Sequence, residues 1–248
     1  MIVIAHRGAN REALENSYSA FDLALESGAQ RIEIDLQIAA DGGIFINHDD
    51  SLLRTTGMSQ KISQLSSGEI RHLKLRNGEP IPSLEDVLER YLGRLELNLE
   101  IKGNRPEIAH IAAKQVMQTQ KQDQIIFSCF DPLPLEVLRD HYGELRRACL
   151  WGGHYLPSIY WGLLAPQNFM QHIRTRIFHP LVDLLNDNLI DQAKQRDWII
   201  YPWATMHGKE DKEREVLWQK LLDWKVDGFC TNYPREMNLW LAGKHLQA

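Results

Sequence analysis

Cysteine is scarce: three residues in 248, Cys129, Cys149 and Cys230, odd in number, widely spaced and set in apolar surroundings. That pattern argues for reduced core thiols rather than a disulfide framework, and the absence of any Cys-x-x-Cys pair argues against a structural zinc site. No apolar run approaches the ~20 residues that a membrane span needs. The apolar opening Met1-Ile2-Val3-Ile4-Ala5 stops at His6-Arg7, far short of a signal-peptide core, so the expectation is a cytoplasmic protein without stable membrane insertion. Positive charge is in deficit, with 28 Lys and Arg against 33 Asp and Glu and a formal charge of −5. That balance speaks against a chain built to coat nucleic acid. Repeats, low-complexity tracts and long linkers are also missing, and oligomeric state leaves no mark.

What is there suits one large domain over residues 1–248, 44% hydrophobic and 25% charged. Short β-like runs alternate with helical stretches. The strand candidates are Ile2–Ala5, Arg31–Ile38, Leu95–Ile101, Ile125–Cys129, Arg147–Trp151, Arg176–Phe178, Trp198–Trp203 and Gly228–Thr231. Between them, apolar residues at about 3.6-residue spacing predict helices over Ser17–Ser27, Ser83–Tyr91, Pro106–Gln118, Leu133–His141, Leu189–Gln195 and Lys212–Trp224. Such alternation points to a parallel sheet, and the length suits an α/β (β/α)8 TIM barrel. Asp41-Gly42-Gly43 reads as a hairpin-like turn into Ile44–Asn47, and the polar stretch of about 49–80 reads as a small insertion after the second strand. In Trp151–His172 one helix cannot be placed.

Strand periodicity then raises a chemical question. Residues two apart share a face. In the second strand Ile32, Ile34, Leu36 and Ile38 form an apolar row opposite Glu33, Asp35 and Gln37; near Glu100, Leu95, Leu97, Leu99 and Ile101 oppose Glu96, Asn98, Glu100 and Lys102. In a barrel the apolar rows face the helices, so the acidic rows point inward, where carboxylates must protonate, pair or bind a cation. Glu33, Asp35 and Glu100 suit a hard divalent ion; solvated strand acids are the alternative reading. His6 ends the first strand, followed by Arg7 and Gly8, and His48 ends the excursion strand before Asp49-Asp50. Active sites of this fold lie at that end of the strands. Two imidazoles form a base–acid pair near neutral pH, and Arg7 and Lys102 match a phosphate. A phosphodiester uses every part of this set, so phosphodiester hydrolysis is the reading the residues favour.

The same residues resemble a known family. His6-Arg7-Gly8, Glu15-Asn16-Ser17, Gly28-Ala29, Glu33-Ile34-Asp35, Asp41-Gly42 and His48-Asp49 look like the N-terminal signature of glycerophosphodiester phosphodiesterases. The likeness continues through Arg54-Thr55-Thr56-Gly57, Ile81-Pro82-Ser83-Leu84, Leu99-Glu100-Ile101-Lys102, Trp203 and Val226-Asp227-Gly228, and thins over 151–197. The resemblance implies a (β/α)8 barrel that hydrolyses glycerophosphodiesters, such as those of choline or ethanolamine, to glycerol 3-phosphate and an alcohol. It also implies a divalent cation, magnesium first and calcium or manganese as alternatives, with Glu33, Asp35 and Glu100 as ligands. His6 matches the proton acceptor and His48 the donor; Arg7 and Lys102 match phosphate contacts. The chain departs from the family pattern at Leu14, at Trp203-Ala204-Thr205-Met206 and at Thr231-Asn232-Tyr233-Pro234, where the family usually has Thr-Asp-x-Pro.

Secondary residues have plain readings beside the chemical ones. Glu15 immediately precedes a helix N-cap, where acids favour the dipole, and Asn16 reads as a cap or loop hydrogen bonder. Trp203 reads as a substrate wall or as core; Phe130 and His179 fall at strand ends. His72, His110, His141, His154 and His172 read as surface or helix residues. Trp151, Tyr155, Tyr160 and Trp161 read as core packing first and as a lip for lipid-like substrates second. Lys209 to Arg214 is a solvated helix start. Two rival functions are a lysophospholipase D acting on lysophospholipids and a non-catalytic phosphodiester-binding barrel.

Overall fold

A computed structural model describes residues 1–152, 166–204 and 210–245, the side chain of His245 apart. Nine strands are present among them: β1 Ile2–His6, β2 Arg31–Ile38, β3 Ile44–Ile46, β4 Glu96–Ile101, β5 Ile125–Cys129, β6 Arg146–Trp151, β7 Ile177–Pro180, β8 Ile199–Ile200 and β9 Gly228–Thr231. Eight are parallel neighbours in the order β8-β7-β6-β5-β4-β2-β1-β9, with β3 antiparallel against β2. The seam between β8 and β9 is carried by single contacts rather than a regular ladder. Asp227 N–H donates to Ile200 O at 3.0 Å and Cys230 N–H to Pro202 O at 2.9 Å. The sheet is thus a nearly closed eight-stranded parallel barrel, as the alternation predicts.

Local chemistry explains the element ends. Ser17 caps the helix Tyr18–Glu26 by accepting from Ala20 N, and Ser83 caps Leu84–Tyr91 by accepting from Asp86 N. Pro106 and Pro132 stand in the first turn of their helices, where no intrahelical donor is lost. Helix side chains such as Phe21, Val87, Ala109, Leu135 and Trp218 share one large core with the apolar rows of β2 and β4. Gly8, at φ +81°, is demanded by this packing, because a Cβ there would stand 2.7 Å from the Ala20 backbone.

Two expectations need correcting, and one helix is additional to them. The eighth strand, expected over Trp198–Trp203, is regular only over Ile199–Ile200. Pro202 lacks an N–H, and pairing resumes at Trp203 as bridges to Leu181 and Cys230. The seventh, expected over Arg176–Phe178, runs Ile177–Pro180, so His179 lies within the strand. A helix over Pro234–His245 escapes the periodicity reading altogether. Within the aromatic segment the described residues include the helix Pro166–His172; His154, Tyr155, Tyr160 and Trp161 lie outside the described residues.

Between β3 and Ser83, two short helical turns and a 3-10 turn enclose a separate small core of Ala39, Phe45, Leu52, Ile62, Ile70, Leu75 and Ile81. This segment is therefore braced independently of the barrel. No described helix is long and apolar enough to cross a membrane.

Candidate active site

The inward residues change character along the barrel axis. Ile4, Ile126, Ala148, Ile177, Tyr201 and Cys230 form an apolar cluster inside the barrel. Toward the C-terminal strand ends the lining turns polar, in a cavity of about 190 Å3 bounded by His6, Arg7, Glu33, His48, Glu100 and Lys102, with Phe130, His179 and Trp203. A wider mouth of about 600 Å3 continues past His48, Lys102, Phe130 and Trp203. The structure thus brings His6, Arg7, Glu33, His48, Glu100, Lys102 and Trp203 to one cavity, with Asp35 bonded to its walls. Trp203 meets Phe130 edge to face at 5.7 Å, so an aromatic pair forms one wall.

Glu33, Asp35 and Glu100 are all buried and offer oxygens within 4.8 Å of one another. The register explains the convergence, since Asp35 stands opposite Glu100 in the β2–β4 ladder and Glu33 is two residues earlier on the same face. Their electrostatic environments differ. Burial, then the charges of Asp35 and Glu100, push the Glu33 carboxyl well above its usual value. Burial acts the same way on Asp35, but Lys102, Arg7, His48 and the Asn16 hydrogen bond outweigh it and hold that carboxyl well below the usual range. Asp35 contacts Lys102 Nζ at 3.2 Å and Arg7 Nε at 3.3 Å, and accepts from Asn16 Nδ2 at 2.7 Å. Glu100 pairs with Lys102. Glu33 Oε1 is buried with no hydrogen-bond partner. An orphaned carboxylate oxygen beside two like charges fits a divalent cation, and an all-oxygen donor set fits a hard one.

His6 is oriented by amides. Asn10 Nδ2 donates to the His6 carbonyl at 2.8 Å and to Asn232 Oδ1 at 2.8 Å, which fixes Asn232 Oδ1 as an acceptor. The 2.6 Å contact between His6 Nδ1 and Asn232 Oδ1 then requires the proton on Nδ1. Nε2 keeps its lone pair, 3.8 Å from Glu33 Oε2. Burial, with Arg7 and Lys102 assisting against Asp35 and the Asn232 bond, lowers the His6 pKa to about 3, so the ring is neutral. His48 differs: its Nδ1 lies 2.6 Å from Asp49 Oδ1, an ionic partner, and its carbonyl accepts from Gln37 Nε2 at 3.0 Å. Two imidazoles therefore face one cavity, one neutral with a free lone pair and one supported by a carboxylate.

Several residues take parts that the sequence reading did not assign. Glu15, read as a helix-start acid, pairs with Arg7 at 2.9 Å and Arg54 at 2.6 Å. Asn16, a loop hydrogen bonder as expected, spends that bond on Asp35. His179 is a third cavity imidazole, accepting from Asn98 Nδ2 at 3.2 Å and lowered to about 3 chiefly by burial. For Asn10 no local signal exists; Asp49 and Arg54 stand in His48-Asp49 and Arg54-Thr55-Thr56-Gly57, motifs of the family resemblance that name no partner for them, and for Asn232 the broken Thr-Asp-x-Pro pattern was a signal.

The family model described as "Glycerophosphoryl diester phosphodiesterase family" matches residues 6–236. The chain is similar to the glycerophosphodiester phosphodiesterase of Caldanaerobacter subterraneus subsp. tengcongensis, 28% identical, with 95% of this chain and 96% of that protein covered. It is 30% identical to YhdW of Bacillus subtilis, covering 94% and 95% of the two chains. Its fold matches that of an Oleispira antarctica phosphodiesterase solved with the product sn-glycerol-3-phosphate, at a TM-score of 0.83 and 24% identity over 98% and 97% of the chains.

Proposed function

This chain belongs to the glycerophosphoryl diester phosphodiesterase family, and from that premise we propose that it hydrolyses glycerophosphodiesters to glycerol 3-phosphate and an alcohol. The observation that carries the reading is the joint placement of three buried carboxylates, two cations and two differently supported imidazoles around one cavity. Glu33, Asp35 and Glu100 would hold a divalent cation, with magnesium the first candidate and calcium or manganese the alternatives. When bound, that cation supplies positive charge against the non-bridging phosphoryl oxygens.

The remaining roles belong to this chain's own side chains. Arg7 and Lys102 present their cations to the phosphoryl group from either side of Asp35, which keeps both protonated and in place. Neutral His6 accepts a proton at Nε2 from the attacking hydroxyl, and the Asn232 acceptor at Nδ1 keeps the ring in the tautomer that can do so. His48 gives a proton from Nε2 to the departing alkoxide, and Asp49 at Nδ1 stabilises the imidazolium needed for that step. The Phe130–Trp203 wall restricts water and gives the carbon skeleton of the substrate an apolar surface.

Product identity tests the proposal. With the choline and ethanolamine esters of glycerol 3-phosphate, followed by phosphorus NMR, the expected products are glycerol 3-phosphate and the free alcohol in equal amounts. Release of phosphocholine and glycerol would mean cleavage of the wrong ester bond and overturn the reading. Turnover confined to lysophospholipids would replace it with lysophospholipase D chemistry.

A further inference from the structure

A run of alternating charges connects the carboxylate cluster to His48. Asp35 Oδ2 contacts Arg7 Nε at 3.3 Å, and Arg7 Nη1 donates to Glu15 Oε1 at 2.9 Å. Glu15 Oε2 contacts Arg54 Nη1 at 2.6 Å, and Arg54 Nε donates to Asp49 Oδ2 at 2.8 Å. Asp49 Oδ1 then meets His48 Nδ1 at 2.6 Å. Glu15 uses its two oxygens on two arginines, and Asp49 uses its two on Arg54 and His48. Every carboxylate in the run is therefore fixed from both sides.

The run also crosses a structural boundary. Arg7 and Glu15 belong to the loop after β1, whereas Asp49 and Arg54 belong to the braced segment after β3. Arg54 is held in its helical turn by its backbone, since Arg76 donates Nε to Arg54 O and Nη2 to Leu53 O, each at 3.0 Å. Gly57, left-handed at φ 89°, ends that turn. An exposed ion pair joining two surface loops adds little to stability. Arg54 instead meets one carboxylate rooted in the barrel and another that holds a ring in the cavity.

Resting on the function proposed above, we propose that Glu15 and Arg54 are positioning residues for His48. Arg54 turns Asp49 so that Oδ1 faces His48 Nδ1, and Glu15 anchors Arg54 to the barrel through Arg7. Freed of Arg54, the half-exposed Asp49 carboxylate turns toward water and the ring loses its alignment with the leaving oxygen. A misalignment of this size costs chemistry far more than binding.

The test compares two esters of glycerol 3-phosphate, one of choline and one of p-nitrophenol, whose departing oxygen needs no proton. Arg54→Ala is expected to lower kcat on the choline ester about 10–100-fold with KM changed less than about threefold. The loss on the p-nitrophenyl ester is expected to be at least about fivefold smaller. Adding Glu15→Gln to Arg54→Ala should not widen the gap between the two esters further, because on His48 the two act in series. Long-range proton–nitrogen NMR of His48 at pH 8.5 reads the same effect without turnover: one Nδ1–H tautomer in the parent protein, a mixture in Arg54→Ala. Equal losses on both esters, a gap between the esters that Glu15→Gln widens further, or an unaltered tautomer in folded Arg54→Ala each overturn the inference alone. A parent enzyme that hydrolyses neither ester overturns the proposed function and this inference together.

Discussion

Replacing His48 with glutamine is expected to lower kcat on an alkyl glycerophosphodiester by about 10²–10⁴-fold, the range of a lost general acid. A glutamine amide falls near the position of the ring's Nε2, away from the Nδ1 contact with Asp49, and has no acidic proton for the departing oxygen. The loss should therefore shrink on a p-nitrophenyl ester. His6→Gln should behave otherwise. Its ring is neutral and its Nε2 lies 3.8 Å from Glu33, so in the proposed assignment it serves the attacking group, and its loss should weigh equally on both esters. Rates for the two variants on the two esters check the assignment. A His48→Gln enzyme within tenfold of the parent on the alkyl ester would remove His48 from the acid role.

The second large effect is opposite in sign at two neighbouring carboxylates. Asp35→Asn should destabilise the metal-free protein by about 3 kcal/mol, the low end for removing one partner of a buried ion pair. The cost is at the low end because Lys102 keeps Glu100 and Arg7 keeps Glu15. Glu33→Gln should instead stabilise the metal-free protein at pH 8, because burial and then the charges of Asp35 and Glu100 make this carboxyl costly to ionise in the fold, and glutamine has nothing to ionise. The pH dependences follow from the same shifts. The Asp35 carboxyl titrates lower folded than unfolded, so its contribution is present above 3.8 and is lost as pH falls through the folded value. The Glu33 carboxyl titrates higher when folded, so its contribution is full below 4.5 and is lost as pH rises through the folded value. The gain from Glu33→Gln should accordingly fade between pH 8 and pH 5. Urea midpoints of the three proteins in EDTA measure this. A Glu33→Gln protein less stable than the parent at pH 8 would contradict the account of the cluster.

What the sequence discloses here depends on the distance over which a residue finds its partners. Glu33, Asp35 and Glu100 are legible because strand periodicity alone puts acids opposite an apolar row, and a barrel turns that row inward. The helices after Ser17 and Ser83 are legible from their caps. The partner of His6 is not. Asn232 reaches it because β1 and β9 pair in register, Ile4 against Cys230, and two further residues bring His6 level with Asn232. That alignment is a property of the closed barrel, 226 residues apart in the chain. Glu15 likewise has a sound local reading as a helix-start acid, yet its carboxylate turns the other way, toward two arginines that no local rule supplies. The helix Pro234–His245 hides for a related reason: buried Met237 and exposed Leu239 break a clean apolar stripe.

The central claim is that Glu33, Asp35 and Glu100 hold a divalent cation on which hydrolysis depends. Its most direct test strips the purified protein with EDTA, returns single cations, and follows glycerol 3-phosphate release from the choline ester. The account predicts negligible release in EDTA, restoration by magnesium, calcium or manganese but not by sodium, and none of these rescuing Asp35→Asn. Full turnover in excess EDTA would contradict it.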